Sequence, residues 1–461
     1  MRKPTTKSSL LGLSRGLGLG LASLRAGGAL AADSLLQKAR GQAAGESAFA
    51  QREAERFVTE LGRLKGSYVK IGQMMALLGE HFLPAALLNA LRNLHDATEP
   101  VPFKDLEPSL GRLLIRGELD IELKPLAAAS LSQVHRARVK TSGDELVLKV
   151  QYPGLAATID SDFDAVVSML KMARWISASR ELDVWLETLR EQLHLEVNYE
   201  REAGATETIA QHLESWQPAQ CKLVIPRVYT EFSDTAVLAL SFESGVSVDH
   251  PSLQRLSLER RNNMASAMLE LFFKELYHWG VMQTDPNLGN YLVRPAHRGS
   301  AEEDALILLD FGSTVAFPER FLTALGATIA AGQRQNRSDL IRALIDLGCL
   351  KPSSHPEARE TFADFCMQLL EPLRPPTDLP PAYLNAKGQY DWARSDLMNR
   401  VAKMAASSVK NKHFATPTKE FAVIARKLTG VFTFICLLRP QFNGFDIAER
   451  YVTEWLGSRD G

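Results

Sequence analysis

The chain has 461 residues, 45% apolar and 23% charged, with a formal net charge of −1. That length supports two or three lobes with substantial cores, and the near-neutral balance removes any reason to expect a nucleic-acid partner. Four widely spaced cysteines (Cys221, Cys349, Cys366, Cys436) and ten scattered histidines argue against a disulfide framework or a zinc site, and fit a reducing compartment.

Residues 1–34 read as a basic Gly/Ala-rich tail, with five basic residues and no acid before Asp33. The string "ALAA" resembles a secretory cleavage site, but Arg15 and Arg25 interrupt the apolar run; the composition fits a transit peptide in a eukaryotic source. Glycines 12, 16 and 20 have G-x-x-x-G spacing, yet no stretch here reaches the roughly 18 uncharged apolar residues of a spanning helix. The tail is read as a flexible extension or a membrane-surface contact. Residues 35–118 read as a helical extension, with Phe57, Val58, Leu61 and Leu64 at helical spacing and Pro84, Pro100 and Pro102 as punctuation.

From 119 to 243 the pattern predicts a small strand-rich lobe. "VHRARVK" and "ELVLKVQ" alternate about the turn "TSGD", which predicts a hairpin over 133–151. Helical spacing returns from Ile159 to Thr208, and "KLVIPRVY" and "AVLALSF" read as two further strands. Residues 244–461 read as a larger helical lobe. "ERRNNMASAMLELFFKELYHWG" predicts a long amphipathic helix stopped at Gly280. Loop, strand, loop, strand follow, then helices, with "RPPTDLPPAYLNAKGQY" as a long loop. The plan is α+β.

Within it, Lys149 sits mid-strand among Val147, Leu148 and Val150; by itself such a lysine usually faces solvent. Before it, "PLAAASLSQVH" supplies Ala127, Ala128, Ala129 and Ser130 in a loop between two expected strands. These small residues let backbone approach a ligand as glycine does in phosphate loops. Asp285 and Asn290 lie five apart on a turn with Pro286 and Gly289, and Asp310 opens "DFG" after "ALILL". Phosphoryl transfer needs oxygen ligands for magnesium, a carboxylate near the acceptor, a lysine on phosphate oxygens and an acid to orient it. A strand lysine, D-x-x-x-x-N and D-F-G in that order are the kinase pattern. Glu202 in "EVNYEREAGAT" is the candidate acid for Lys149, with Glu196 and Glu200 as competitors.

The set resembles the UbiB family of atypical kinase-like proteins, in its ubiquinone (coenzyme Q) biosynthesis branch. "KIGQ" (Lys70 to Gln73) matches that family's K-x-G-Q signature, which ordinary protein kinases lack. "AAASLSQVH" matches its alanine-rich loop, "LKVQYPG" its strand lysine, "NYEREA" its glutamate helix, and "QTDPNLGN" and "LLDFG" its catalytic and metal loops. The resemblance implies a two-lobed protein-kinase-like fold with a helical N-terminal extension, binding ATP or ADP with Mg2+ between the lobes. Lys149 would hold phosphates, paired with Glu202; Asp285 would be the catalytic-loop aspartate; Asn290 and Asp310 would hold the metal. Lys70 and Gln73 would act as a regulatory element, with Glu196 a partner of Lys70. The implied activity is ATPase or small-molecule/lipid kinase chemistry supporting ubiquinone or isoprenoid-lipid metabolism. Implied partners are membrane lipids or quinone precursors and a lipid-biosynthesis enzyme complex. The implied location is cytoplasmic and peripherally membrane-associated, on the matrix side of the mitochondrion in a eukaryote. The alternative is a nucleotide-gated pseudokinase that scaffolds or extracts lipids without phosphoryl transfer.

Four features depart from these patterns. Asn198 replaces the aspartate of the family's E-x-D, and Gln283 stands where protein kinases have the histidine of H-R-D. No A-P-E follows the D-F-G, and "LTGVFTFICLL" (428–438) is apolar but too short to span a bilayer.

Overall fold

The structure, a computed structural model, describes residues 48–64, 66–79, 82–94, 99–297, 303–409 and 418–458; the tail of residues 1–34 lies outside them. The described chain divides into two units, one running up to Ala203 and including Val228–Phe242, the other made of Gly204–Arg227 and Glu243 onward.

In the first unit, helices α1 (Ala48–Leu64), α2 (Ser67–Leu78), α3 (Ala85–Leu91) and α4 (Phe103–Arg116) precede β1 (Leu119–Ile121), β2 (Ala127–Ala128), β3 (Ser132–Val139) and β4 (Glu145–Gln151). Then come α5 (Leu155–Met172), α6 (Arg180–Glu196) and α7 (Tyr199–Glu214), whose residues from Gly204 onward belong to the second unit. The chain supplies β5 (Lys222–Val224) to the second unit and returns for β6 (Val237–Ser241). Phe57 and Leu61 of α1 bury with Ile71 and Met75 of α2, Leu87 of α3 and Phe163 of α5, the outcome of apolar residues three and four apart.

The sheet is antiparallel, ordered β1-β3-β4-β6 with β2 on the edge of β3. Gly143 turns the β3–β4 hairpin at φ 79°, a conformation that favours glycine. Strand alternation sends Leu146, Leu148 and Val150 toward Leu106, Leu110 and Leu113 of α4. The opposite face carries Val147 with Tyr199, Leu238 and Leu240; Lys149 shares that face, beside Tyr199, whose ring centroid is 5.3 Å from its ammonium.

Two strand expectations are corrected. The alanine-rich segment is not wholly loop, because Ala127 and Ala128 pair with Val134 and Gln133. "KLVIPRVY" is strand only over Lys222–Val224. Pro226 has no amide to continue the ladder, and Val228 makes only an isolated bridge to Leu240. The two segments therefore serve different sheets, β5 pairing in parallel with residues 305–307.

The second unit contains β7 (Val246–Ser247), α8 (Leu258–Lys274), β8 (Val281–Gln283), β9 (Tyr291–Arg294), β10 (Ala305–Leu308) and β11 (Thr314–Ala316). Helices α9 (Glu319–Gln333), α10 (Arg337–Asp346), α11 (Pro356–Leu369), α12 (Leu397–Val409), α13 (Lys419–Leu438) and α14 (Phe445–Gly457) follow. Gly280, at φ 67°, stops the long helix as expected, but the last turn (Glu275–Trp279) widens into a π-helix. The strands form a sheet β5-β10-β9-β7 and a ribbon β11-β8. In the segment expected as a long loop, 3-10 turns form at Pro376–Asp378 and Pro381–Tyr383. Its end is anchored by the buried Tyr390, which donates to Glu371 at 2.6 Å.

The apolar run 428–438 is longer in structure than in sequence. It is the end of the 20-residue α13, which among the described residues is the helix long and apolar enough to cross a membrane. Half of that stretch is buried within the protein, and Met268 and Phe272 of α8 share a core with Val431, Phe432 and Ile435 of α13.

Candidate functional site

In the first unit, the Lys149 ammonium donates to both carboxylate oxygens of Glu202, at 2.7 and 2.9 Å. The Glu202 side chain is only 3% exposed and that of Lys149 22%, so this is a partly desolvated pair whose geometry is held from both sides. Glu196, a competitor for that role, instead pairs with Lys70 of α2 at 2.7 Å. Glu200, the other, is exposed. Gln73 lies half-buried one turn past Lys70.

One side chain braces the joint between the two acid-bearing helices. Gln151 of β4, buried, donates to the Val197 carbonyl at 2.6 Å. The next residue, Asn198, accepts from Arg201 N at 2.9 Å and so caps α7. An asparagine caps a helix about as well as an aspartate, so the departure from E-x-D leaves the helix start intact. Ala127 and Ala129 are exposed and Ser130 buried; the Ala129 carbonyl accepts from the Tyr152 hydroxyl at 3.1 Å, tying this segment to the end of β4.

In the second unit, Asp285 and Asn290 lie on the β8–β9 connection and Asp310 on the β10–β11 connection. Because β9 pairs with β10 and β8 with β11, both connections emerge at one edge. Two backbone hydrogen bonds stitch them together: Thr284 N to Ser313 O at 2.8 Å and Leu309 N to Asn290 O at 2.9 Å. Asn290 Nδ2 donates to Asp285 Oδ2 at 2.8 Å, which turns the amide oxygen away from Asp285. Asp310 Oδ1 accepts from Gly312 N at 2.8 Å, and the next side chain, Phe311, is buried at 1% exposure and anchors the turn. Amide and carboxylate oxygens are the hard donors magnesium takes. Among the described residues no group of three or more His, Cys, Asp or Glu side chains gathers; a metal carried on nucleotide phosphates needs only one or two protein side chains.

Behind the first connection lies a feature the motifs do not mark. Lys427 of α13, 2% exposed, donates to Gln283 Oε1 at 2.6 Å and to Tyr291 Oη at 2.8 Å. Tyr291 in turn donates to Gln283 Oε1 at 3.0 Å, closing a triangle. The Glu275 carboxylate, on the π-turn, is 3.9 Å from the ammonium, an ion-pair distance rather than a hydrogen bond. Burial depresses the lysine, but Tyr291 and Glu275 outweigh it and hold the Lys427 ammonium above its ordinary range. The only sequence signal for this residue is a cation inside the apolar string "AVIARKLTGVF".

Burial pushes the Glu275 carboxyl up from 4.5 to about 7, against the opposing influence of Lys427 and a backbone hydrogen bond from Gln283. A carboxyl raised in the folded state stabilises the fold below its unfolded value and loses that contribution as pH rises through the folded one. Glu275→Gln is therefore expected to flatten the decline in melting temperature between about pH 5 and about pH 8. Parallel slopes for the two proteins would contradict this.

Residues 96–344 match the ABC1 atypical kinase-like domain. The chain is 27% identical over 386 residues to "Atypical kinase COQ8, mitochondrial" of Schizosaccharomyces pombe, covering 83% of this chain and 60% of that protein. It is 29% identical over 457 residues to "Atypical kinase COQ8B, mitochondrial" of Rattus norvegicus, covering 98% and 81%. Against the Caenorhabditis elegans relative, "Atypical kinase coq-8, mitochondrial", identity is 27% over 414 residues, with 87% of this chain and 52% of that one covered. The chain thus spans about half to three-fifths of the length of the fission-yeast and nematode proteins. Among solved structures it is similar to the protein chain in the complex of Rv3197 with erythromycin from Mycobacterium tuberculosis. The TM-score is 0.60 at 21% identity, covering 88% of this chain and 97% of that one. At that identity the likeness concerns the fold, which is kinase-like and α+β with N-terminal helices.

Proposed function

We propose, on the premise that this chain belongs to the ABC1 atypical kinase-like family (the UbiB group its motifs resemble), that it binds Mg-ATP and hydrolyses it or transfers its γ-phosphate to a small-molecule or lipid acceptor. The observation that carries the reading is the bidentate Lys149–Glu202 contact, the lysine–acid pair that phosphoryl-transfer enzymes of this type use. The stitched pair of connections bearing Asp285, Asn290 and Asp310 supports it further.

In this reading Lys149 holds phosphate oxygens beside the small residues Ala127, Ala128, Ala129 and Ser130. Asn290 and Asp310 hold magnesium, which when bound neutralises charge on the phosphates. Asp285 orients the water or hydroxyl that attacks. Lys70, Gln73 and Glu196 form the regulatory element on the helical extension. In the same reading the task is to support ubiquinone or related isoprenoid-lipid metabolism at a membrane surface, with quinone precursors and a biosynthetic enzyme complex as partners, on the matrix side in a eukaryotic source; the similarity to relatives named mitochondrial COQ8 atypical kinases supports it.

Purified protein assayed with Mg-ATP, with and without anionic liposomes and a quinone-precursor mimic, tests this. Asp310→Asn is expected to lower turnover by about 10²–10³-fold, the scale seen when one preorganised electrostatic group is removed. Mg-nucleotide binding together with a rate that Asp285→Asn and Asp310→Asn leave unchanged would instead favour the lipid-handling scaffold. A rate indifferent to liposomes and mimic would sink the membrane part.

A further inference from the structure

We propose that Lys427 is a positioning residue: its buried ammonium ties together the two stems of the connection that carries Asp285 and Asn290. This inference rests on the reading of that connection as the acceptor- and metal-binding edge. Gln283 is the last residue of β8 and Tyr291 the first of β9, so the residues Lys427 grips flank all of 284–290. The triangle of Nζ, Oη and Oε1 admits one assignment of the Gln283 amide, because its nitrogen could not face an ammonium.

The rest of α13 reinforces the grip. Arg426 donates to the Thr284 carbonyl at 3.3 Å, and Gly430, one turn beyond, lets the helix approach Pro286 so closely that a Cβ there would lie 2.5 Å from the proline ring. Residues 426, 427 and 430 thus back residues 283, 284, 286 and 291.

Holding a lysine in an apolar core is costly unless it is fully hydrogen-bonded. Its hydrogen-bond partners here are the two stems of the candidate loop, with the Glu275 carboxylate beside it at ion-pair distance only. The side-chain nitrogen of Gln283 and one oxygen of Glu275 have no hydrogen-bond partner. The amide is therefore committed to the triangle through its oxygen alone, which makes the arrangement dependent on the lysine. A methionine of similar length would fill the volume and leave Gln283 and Tyr291 bonded only to one another.

The test uses the whole chain, as wild type, Lys427→Met, Lys427→Arg and Tyr291→Phe. Hydrogen exchange is followed on a peptide covering 283–291, with one covering Lys222–Val224 as reference, alongside kcat and KM for Mg-ATP. Lys427→Met is expected to speed exchange in 283–291 by about tenfold with the reference unmoved. Its kcat should fall by at least about tenfold while KM stays within about threefold, the split expected of misplacement rather than lost binding. Lys427→Arg should recover part of both. Should Lys427→Met fail to fold, Tyr291→Phe, which removes one corner of the triangle and keeps the ring, should shift exchange in the same direction. Unchanged loop exchange in a folded variant overturns the proposal, as does a fall in kcat without it. A wild type with no turnover would overturn the catalytic reading alone, because the exchange measurement still decides for Lys427.

Discussion

Lys149→Met should cost about 2–3 kcal/mol of stability as well as turnover. Removing one member of a buried pair typically costs about 3–5 kcal/mol because the other charge stays behind, and the partial exposure of Lys149 reduces that through solvent screening. Glu202, 3% exposed, would lose the ammonium that both its oxygens accept from. Urea titration should show the loss. The double variant Lys149→Met with Glu202→Gln should regain most of the stability, since no ionised carboxylate remains, and none of the turnover. If the single and double variants were equally stable, the pair would not be the buried contact described here. If the double variant turned nucleotide over, the role proposed for Lys149 would fail.

Gly430→Ala should have the opposite sign from an ordinary helix glycine replacement. At an open helical position alanine is favoured over glycine by about 1 kcal/mol. Gly111 in α4 is such a position, with nothing within 4 Å of an added Cβ, so Gly111→Ala should raise the melting temperature. At Gly430 the added methyl would lie 2.5 Å from Pro286 Cβ and 3.1 Å from its Cα. Pro286 follows Asp285 directly, so either the helix or the connection must move. Overpacking of this kind costs about 1–3 kcal/mol, and displacement of Asp285 by even about 1 Å is expected to lower turnover by up to about 100-fold. Gly430→Ala with wild-type stability and rate would mean that the helix yields without disturbing the loop.

These two predictions show what local pattern carries and what it does not. The hairpin that presents Lys149 was legible because β3 and β4 alternate and Gly143 turns between them. The Gly280 stop was legible because a left-handed residue ends helices whatever packs around them. The ordered motifs pointed to a kinase-like fold through resemblance, and the family match agrees. Pairing among the glutamates was open in the sequence, since Glu196, Glu200 and Glu202 lie on adjoining turns; burial and direction distinguish them only in three dimensions.

Lys427 was invisible for a different reason. Its partners Gln283 and Tyr291 are 144 and 136 positions away, and no local period encodes a contact that distant. The same holds for the alanine segment, where two residues become strand because β3 offers an edge. It holds too for the widened turn at Glu275–Trp279, which no residue preference announces.

The bonds between Thr284 and Ser313 and between Leu309 and Asn290 are made by the main chain, and that has an evolutionary corollary. Replacing the presented side chains Asp285, Asn290 or Asp310 changes what is offered at the edge and leaves these ties in place, whereas Thr284, whose hydroxyl also bonds Ser313, and the anchoring Phe311 lack that freedom. Chemistry there is free to drift while its spacing is inherited. Proline at 284 or 309, which lacks the amide hydrogen, is the substitution that would pull out a tie.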